Sequence, residues 1–275
     1  MANGNGGNGS DGAGVGWYGK IPAAGDFVHR RLPRVLIAWW DAWLQYGLAA
    51  LRQMPDEGAE RGYAAAPIWN FAIPAGPGAA GMVQLGCIAP SRDRVGRAYP
   101  LCAATALPAQ VFRRSQLEGA DDYYRRVGAS LLAAVRHGCA AEQLDRMLQE
   151  ARLSGDVAAA VPGRAGAAAA ADEGGAAARA GNDILEILNA GNGAADGAGA
   201  VGDDGIGGTA GTPRVPPALA AWPDLPFCFN PSSHTSYWWT NQSDGAALQT
   251  YVHGGALNAT LFLRLFCAPP AWRRL

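Results

Sequence analysis

The residues best suited to chemistry fall in a few short blocks. One is Gly19-Lys20-Ile21-Pro22, continuing through Gly25, Asp26 and Phe27 to Arg30. A second is Pro90-Ser91-Arg92-Asp93-Arg94-Val95-Gly96-Arg97. Tryptophan-rich blocks stand between and after them: Trp40-Asp41-Ala42-Trp43, then Pro67-Ile68-Trp69-Asn70-Phe71, then Ser236-Tyr237-Trp238-Trp239-Thr240. Asp26 and Asp93 could pair for acid–base work. With Lys20, Arg30 and Arg97 converging on a cleft, they could instead hold a phosphorylated or otherwise anionic ligand. Each Asp also has arginines close by in sequence, so an ion pair or a turn bond accounts for it without catalysis. Trp and Arg are enriched where proteins dock. A domain poor in large aliphatics also fills its core with Trp, and core packing is the default for each one.

Other chemistries find little support. Gly76-x-Gly78-x-x-Gly81 matches a dinucleotide-binding spacing, but Pro77 lies inside it. A strand-like run, Met82–Ile88, follows where a helix would have to bring its amides to the phosphates, so a hairpin loop is expected. There is no P-loop, no H-E-x-x-H and no G-x-S-x-G. His29, His137, His234 and His253 are scattered, with no Cys or Asp at metal-ligand spacing. His234 among Ser232, Ser233 and Ser236 reads as a polar loop, because a general base must reach its nucleophile in space. The five Cys lack C-x-x-C spacing. They read as buried reduced thiols, not as a disulfide framework or zinc site. No cofactor and no metal are expected.

Composition narrows the partners. A net charge of −1 argues against a nucleic-acid binder, which needs clustered basic residues to displace counterions. Of the 22 basic residues, 21 are Arg, and Lys20 is the only Lys. The 57 Ala and 38 Gly are concentrated in 155–212, where they fill 34 of 58 positions without a single aromatic. The first 14 residues are likewise Gly- and Asn-rich. Both tracts read as disordered, 1–14 as a tail and 155–212 as a low-complexity insertion acting as a spacer. The remaining roughly 200 residues suffice for one domain with a sizeable core. No basic segment leads into an apolar run at the N-terminus, and no stretch approaches the length of a membrane span, so a cytoplasmic protein without membrane insertion is expected.

The elements that must position these blocks follow from periodicity. Trp17–Lys20 starts a strand, and the Pro/Gly-rich segment after it reads as a loop. Pro33 opens a helix whose inner face carries Leu36, Trp40, Trp43, Leu44, Leu48 and Leu51, stopping near Pro55. Ile68–Ile73, Met82–Ile88 and Leu101–Leu107 read as strands, 120–136 and 140–153 as helices. Residues 236–240 and Leu248–Val252 give further strands, and Asn258 can cap a last helix reaching about Phe266. Asp183–Asn189 could form a helical turn or two. The fold class is therefore α+β: a single compact domain, residues 15–275, with helices packed against a sheet.

Read together, the blocks resemble the TagF family of type VI secretion system accessory proteins. GWYGKIPAAGDFVHRRLPR, then Trp40-Asp41-Ala42-Trp43-Leu44, Ala66-Pro67-Ile68-Trp69-Asn70-Phe71, Ala89–Leu101 and Ser236–Thr240 match that family's blocks in order. Two departures stand out: the 155–212 tract is longer than the family pattern suggests, and the sequence closes at Leu275, so the Ser/Thr phosphatase domain of some members is not expected. The resemblance implies an α/β sandwich and a non-enzymatic, cytoplasmic, post-translational repressor. It implies action by binding the forkhead-associated scaffold protein of the secretion system. On this expectation the motif residues Lys20, Pro22, Gly25, Asp26, Arg30, Trp40, Asp41, Trp43, Trp69, Ser91, Asp93, Gly96, Arg97, Trp238 and Trp239 form either the contact surface or the frame that shapes it. The alternative is a phospho-group or small-ligand site, or an enzyme, built on the same Asp/Arg/Lys loops.

Overall fold

Strand Trp69–Ile73 buries all five of its residues, and Met82–Ala89 buries all but Met82. Strands buried on both faces need cover on both sides, and this sets the architecture. The computed structural model describes residues 14–54, 59–77, 81–153 and 222–267. The strands are β1 (Gly16–Gly19), β2 (Val28–Arg30), β3 (Trp69–Ile73), β4 (Met82–Ala89), β5 (Leu101–Pro108), β6 (Thr235–Thr240) and β7 (Thr250–Gly254). They form one sheet in the order β2-β1-β5-β4-β3-β6-β7, with every neighbouring pair antiparallel.

The helices are α1 (Arg34–Arg52), α2 (Ala59–Ala65), α3 (Ser115–Glu118), α4 (Asp121–Arg136), α5 (Ala141–Glu150), α6 (Leu225–Cys228) and α7 (Ala259–Phe266). Strand alternation sends side chains to two separate cores. Trp17, Leu85, Cys87 and Trp239 meet Tyr123, Tyr124, Leu131 and Leu144 of α4 and α5. Tyr18, Phe71, Ile88 and Trp238 meet Trp40 and Trp43 of α1 and Phe262 and Phe266 of α7. The result is a helix–sheet–helix sandwich, as the α+β expectation and the resemblance imply.

The long elements lie within a residue or two of their expected positions, with two exceptions. The 140–153 helix stops at Glu150, and the last strand lies at Thr250–Gly254 instead of 248–252. Asn258 caps α7 as its position suggests, its Oδ1 accepting from Leu261 N at 2.9 Å. Four short elements were not legible in the sequence. β2 has three residues, none fully buried, inside what reads as a loop. α2 buries only Tyr63, so it carries no apolar period. α3 and α6 have four residues each. The tail up to residue 13, the 155–212 tract and Asp183–Asn189 within it lie outside the described residues.

Candidate functional site

β1 ends at Gly19, whose φ of +145° and lack of a side chain let it run against the next strand. A Cβ there would stand 2.3 Å from the Pro100 carbonyl oxygen. The chain then places Lys20 beside the β4–β5 connection. Lys20 Nζ donates to Asp93 Oδ2 at 3.0 Å, with side-chain exposures of 9% and 0%. Arg97 Nε donates to the same oxygen at 2.6 Å. Asp93 Oδ1 accepts from the backbone N–H of Arg97 at 2.8 Å and of Val95 at 3.1 Å. A tight turn with Gly96 at φ +88° makes this possible, and Gly96 N closes it on the Asp93 carbonyl at 2.9 Å.

One buried carboxylate thus accepts four hydrogen bonds, two of them from cations. Burial on its own would raise the Asp93 pKa. The bonds from Lys20 and from the backbone and guanidinium of Arg97 outweigh it and hold the carboxyl well below the usual range.

Three further bonds fuse the two loops. Arg97 Nη2 donates to the Gly25 carbonyl at 2.7 Å, Arg94 N to Ala24 O at 2.9 Å, and Ser91 Oγ to Lys20 O at 2.7 Å. Underneath, the buried Tyr63 hydroxyl accepts from Ser91 N and donates to Ser91 O, both at 3.1 Å.

A second carboxylate is held the same way. Asp41 Oδ1 accepts from Tyr18 at 2.7 Å and Tyr99 at 2.6 Å, and Oδ2 accepts from Gln45 at 2.6 Å. Burial works to raise the Asp41 pKa, and the Tyr99, Tyr18 and Gln45 donors bring it below its ordinary value. Burial foremost, with the Asp41 charge, pushes both phenols up, so they stay protonated donors. Phe27 joins the two centres. Its ring stacks on Tyr18 at 5.7 Å and meets Tyr99 edge-on at 4.7 Å. Lys20 Nζ lies 4.9 Å from its centroid, within cation–π range.

The structure therefore brings together Lys20, Ser91, Asp93, Gly96 and Arg97, with Gly25 through its carbonyl and Asp41 through the aromatic bridge. It does not bring in Asp26 or Arg30. Asp26 is exposed and makes no hydrogen bond or ion pair among the described residues. Arg30 belongs to β2, exposed, its guanidinium 4.0 Å from Glu142. The acid–base pairing of Asp26 with Asp93 therefore has no support in the geometry.

The five tryptophans among the expected site residues, Trp40, Trp43, Trp69, Trp238 and Trp239, are core. Trp40, Trp43 and Trp69 donate their indole N–H groups to Gln84, Asn258 O and Leu265 O at 2.8–2.9 Å. Trp238 donates to Ser236 Oγ at 3.0 Å, and Trp239 packs its ring on Tyr124. Three of the thiols are buried, Cys267 is partly so, and Cys228 is exposed, against the expectation that all five are buried. Sequence reading missed Tyr18, Tyr63 and Tyr99. Their spacing carries no signal, because each acts on a residue 23 or more positions away.

A cavity of about 350 Å³ opens beside the fused loops, lined among others by Pro22, Tyr63, Pro90, Arg92, Arg94 and Val135. Asp93 also borders it, its carboxylate already committed. The arrangement can display a rigid surface. It offers no nucleophile–base pair.

Residues 16–151 match the family described as TagF N-terminal domain, type VI secretion system-associated. Over those residues the chain belongs to the TagF N-terminal domain family. The TagF domain so bounded contains both fused loops, the Asp41 centre and strands β1–β5, while β6, β7 and α7 extend its sheet and helical cover from beyond it. The chain is also similar to the crystal structure of PA0076 from Pseudomonas aeruginosa PAO1. The identity is 22%, over 95% of this chain and 97% of that one, with a TM-score of 0.58. At that identity the likeness is one of fold. No curated protein matches the chain.

Proposed function

We propose that this chain is a non-enzymatic repressor of type VI secretion that acts in the cytoplasm by binding the forkhead-associated scaffold protein of the secretion system. A role connected with type VI secretion comes from the family itself. One observation supports a binding role over a catalytic one: the buried Asp93 carboxylate is saturated by four donors. Its oxygens are committed, Lys20 is held by it, and Asp41 is similarly occupied. The bonds hold two loops in one shape, which lowers the ordering cost when a partner docks. The anionic-ligand reading loses two of its cations, Lys20 and Arg97, to Asp93.

The test is expression of the full chain in a bacterium with active type VI secretion. Export of secretion substrates should fall, with their cellular levels unchanged, and the folded Asp93→Asn variant should repress less. Undiminished export at high expression of the wild-type chain refutes repression.

A further inference from the structure

The fused loops leave a particular chemistry facing outward. Val95 is 68% exposed and Phe27 46%, an aliphatic and an aromatic side chain on the tips of the two loops. The Arg94 guanidinium lies over Gly25, where a Cβ would stand 3.5 Å from its Nη2, and it makes no hydrogen bond or ion pair among the described residues. Arg92 has one bond, to the Gly96 carbonyl at 3.3 Å. Both arginines line the 350 Å³ cavity, whose other walls are largely apolar: Pro22, Ala64, Pro90 and Val135. Among the described residues the single carboxylate on that lining is Asp93, which is buried and paired with Lys20.

Across the two loops, Lys20, Arg92, Arg94 and Arg97 stand against Asp93 and Asp26. α2, which lines one side, adds Glu60 and Arg61, one of each sign; α4 adds Arg136 next to Val135. A nearly neutral chain therefore gathers positive charge at one apolar-walled opening. At this size the cavity takes one or two side chains and sits at the lower end of small-molecule sites.

We propose that this face docks an acidic segment of the protein partner. A carboxylate bridges Arg92 and Arg94 at the mouth of the cavity, and an apolar neighbour on the segment packs on Val95 and Phe27. Arginine forks suit planar carboxylates, and aromatic and arginine side chains together make binding hot spots. The proposal rests on the binding reading above and adds the chemistry of what binds.

Two arms test it with the full chain, wild type and R92E/R94E, both checked for native near-UV circular dichroism and unchanged melting. In the first arm, the probe is a fluorescein-labelled peptide alternating Glu and Leu, with a Gln/Leu peptide as control, read by anisotropy. The expected result is saturable binding of the Glu peptide to the wild type, weakened steeply by salt. Affinity should fall at least tenfold for the Gln peptide and for R92E/R94E. In the second arm, the purified scaffold protein replaces the peptide, and R92E/R94E should lose at least tenfold in affinity. Peptide binding that is absent, or equal in the two proteins, overturns the acidic-segment proposal whatever the scaffold does. Equal scaffold affinity overturns it while leaving the repressor reading intact. Absence of scaffold binding to the wild type strikes that reading, and the peptide arm then decides the docking site by itself.

Discussion

Lys20 is the one lysine in a chain that otherwise uses arginine, and its surroundings give the reason. Its ammonium fits between the Asp93 carboxylate and the Phe27 ring, 3.0 Å from one and 4.9 Å from the other's centroid. A guanidinium is larger, planar and directional, so it cannot serve both contacts from the same space. Lys20→Arg should therefore lower the urea midpoint clearly, whereas Arg94→Lys, at an exposed side chain, should leave it within error. Equal midpoints for the two variants count against the clamp. The carboxylates predict a pH dependence as well. Asp93, Asp41 and Asp145 of α5 all have folded pKa values depressed below those of an unfolded chain; at Asp145, burial is outweighed by the bonds it accepts from Arg31 Nη1 and Trp17 Nε1, both at 2.8 Å. Such groups stabilise the fold fully above the unfolded value of about 3.9 and lose that contribution as pH falls through the folded values. Urea unfolding should thus be nearly flat from neutral pH to about 5 and weaken below about 4. Asp93→Asn should start less stable and show a shallower acid decline. A decline as steep as the wild type's contradicts the assignment. Sequence reading grouped five loop residues, of which the fold joins Lys20, Asp93 and Arg97 and leaves Asp26 and Arg30 apart. Motif membership does not say which way a side chain points, whether in the loop, as for Asp26, or on β2, as for Arg30.

The helix elements show how closely the sandwich is packed. Gly47 lies on the buried face of α1, and a Cβ there would meet the Phe262 ring of α7 at 2.1–2.4 Å and its Cβ at 2.6 Å. Alanine is the better helix former by roughly 1 kcal/mol, yet ring atoms cannot yield that far within a filled core. Gly47→Ala should therefore destabilise by about 1–3 kcal/mol, the usual cost of overpacking, measured by chemical denaturation. A stabilised variant would mean that α1 and α7 are not in this contact. Long elements were legible because each carries its own local pattern: the Trp40, Trp43 and Leu44 face of α1, or the short, mostly apolar run of β3. The pairing of β6 beside β3 was not. Those strands are separated by the entire 155–212 tract, and antiparallel neighbours so remote in sequence leave no local signature.

At the scale of the molecule, helices cover both faces of the sheet, and the fused loops lie beyond the ends of β1 and β4. There, two blocks 73 positions apart are locked by one carboxylate. The composition, poor in large aliphatics, made Trp40, Trp43, Trp69, Trp238 and Trp239 legible as core. It did not reveal that the positive groups gather at one opening, because that depends on loop pairing. We propose that this rigid face binds the forkhead-associated scaffold of the secretion system. Isothermal titration of the purified full chain into the purified forkhead-associated scaffold protein tests it most directly. The expected result is a saturable one-site isotherm that persists in Arg30→Ala, outside the fused loops, and weakens in Asp93→Asn. No complex at concentrations up to roughly 100 µM, a level that would still reveal weak association, would contradict it.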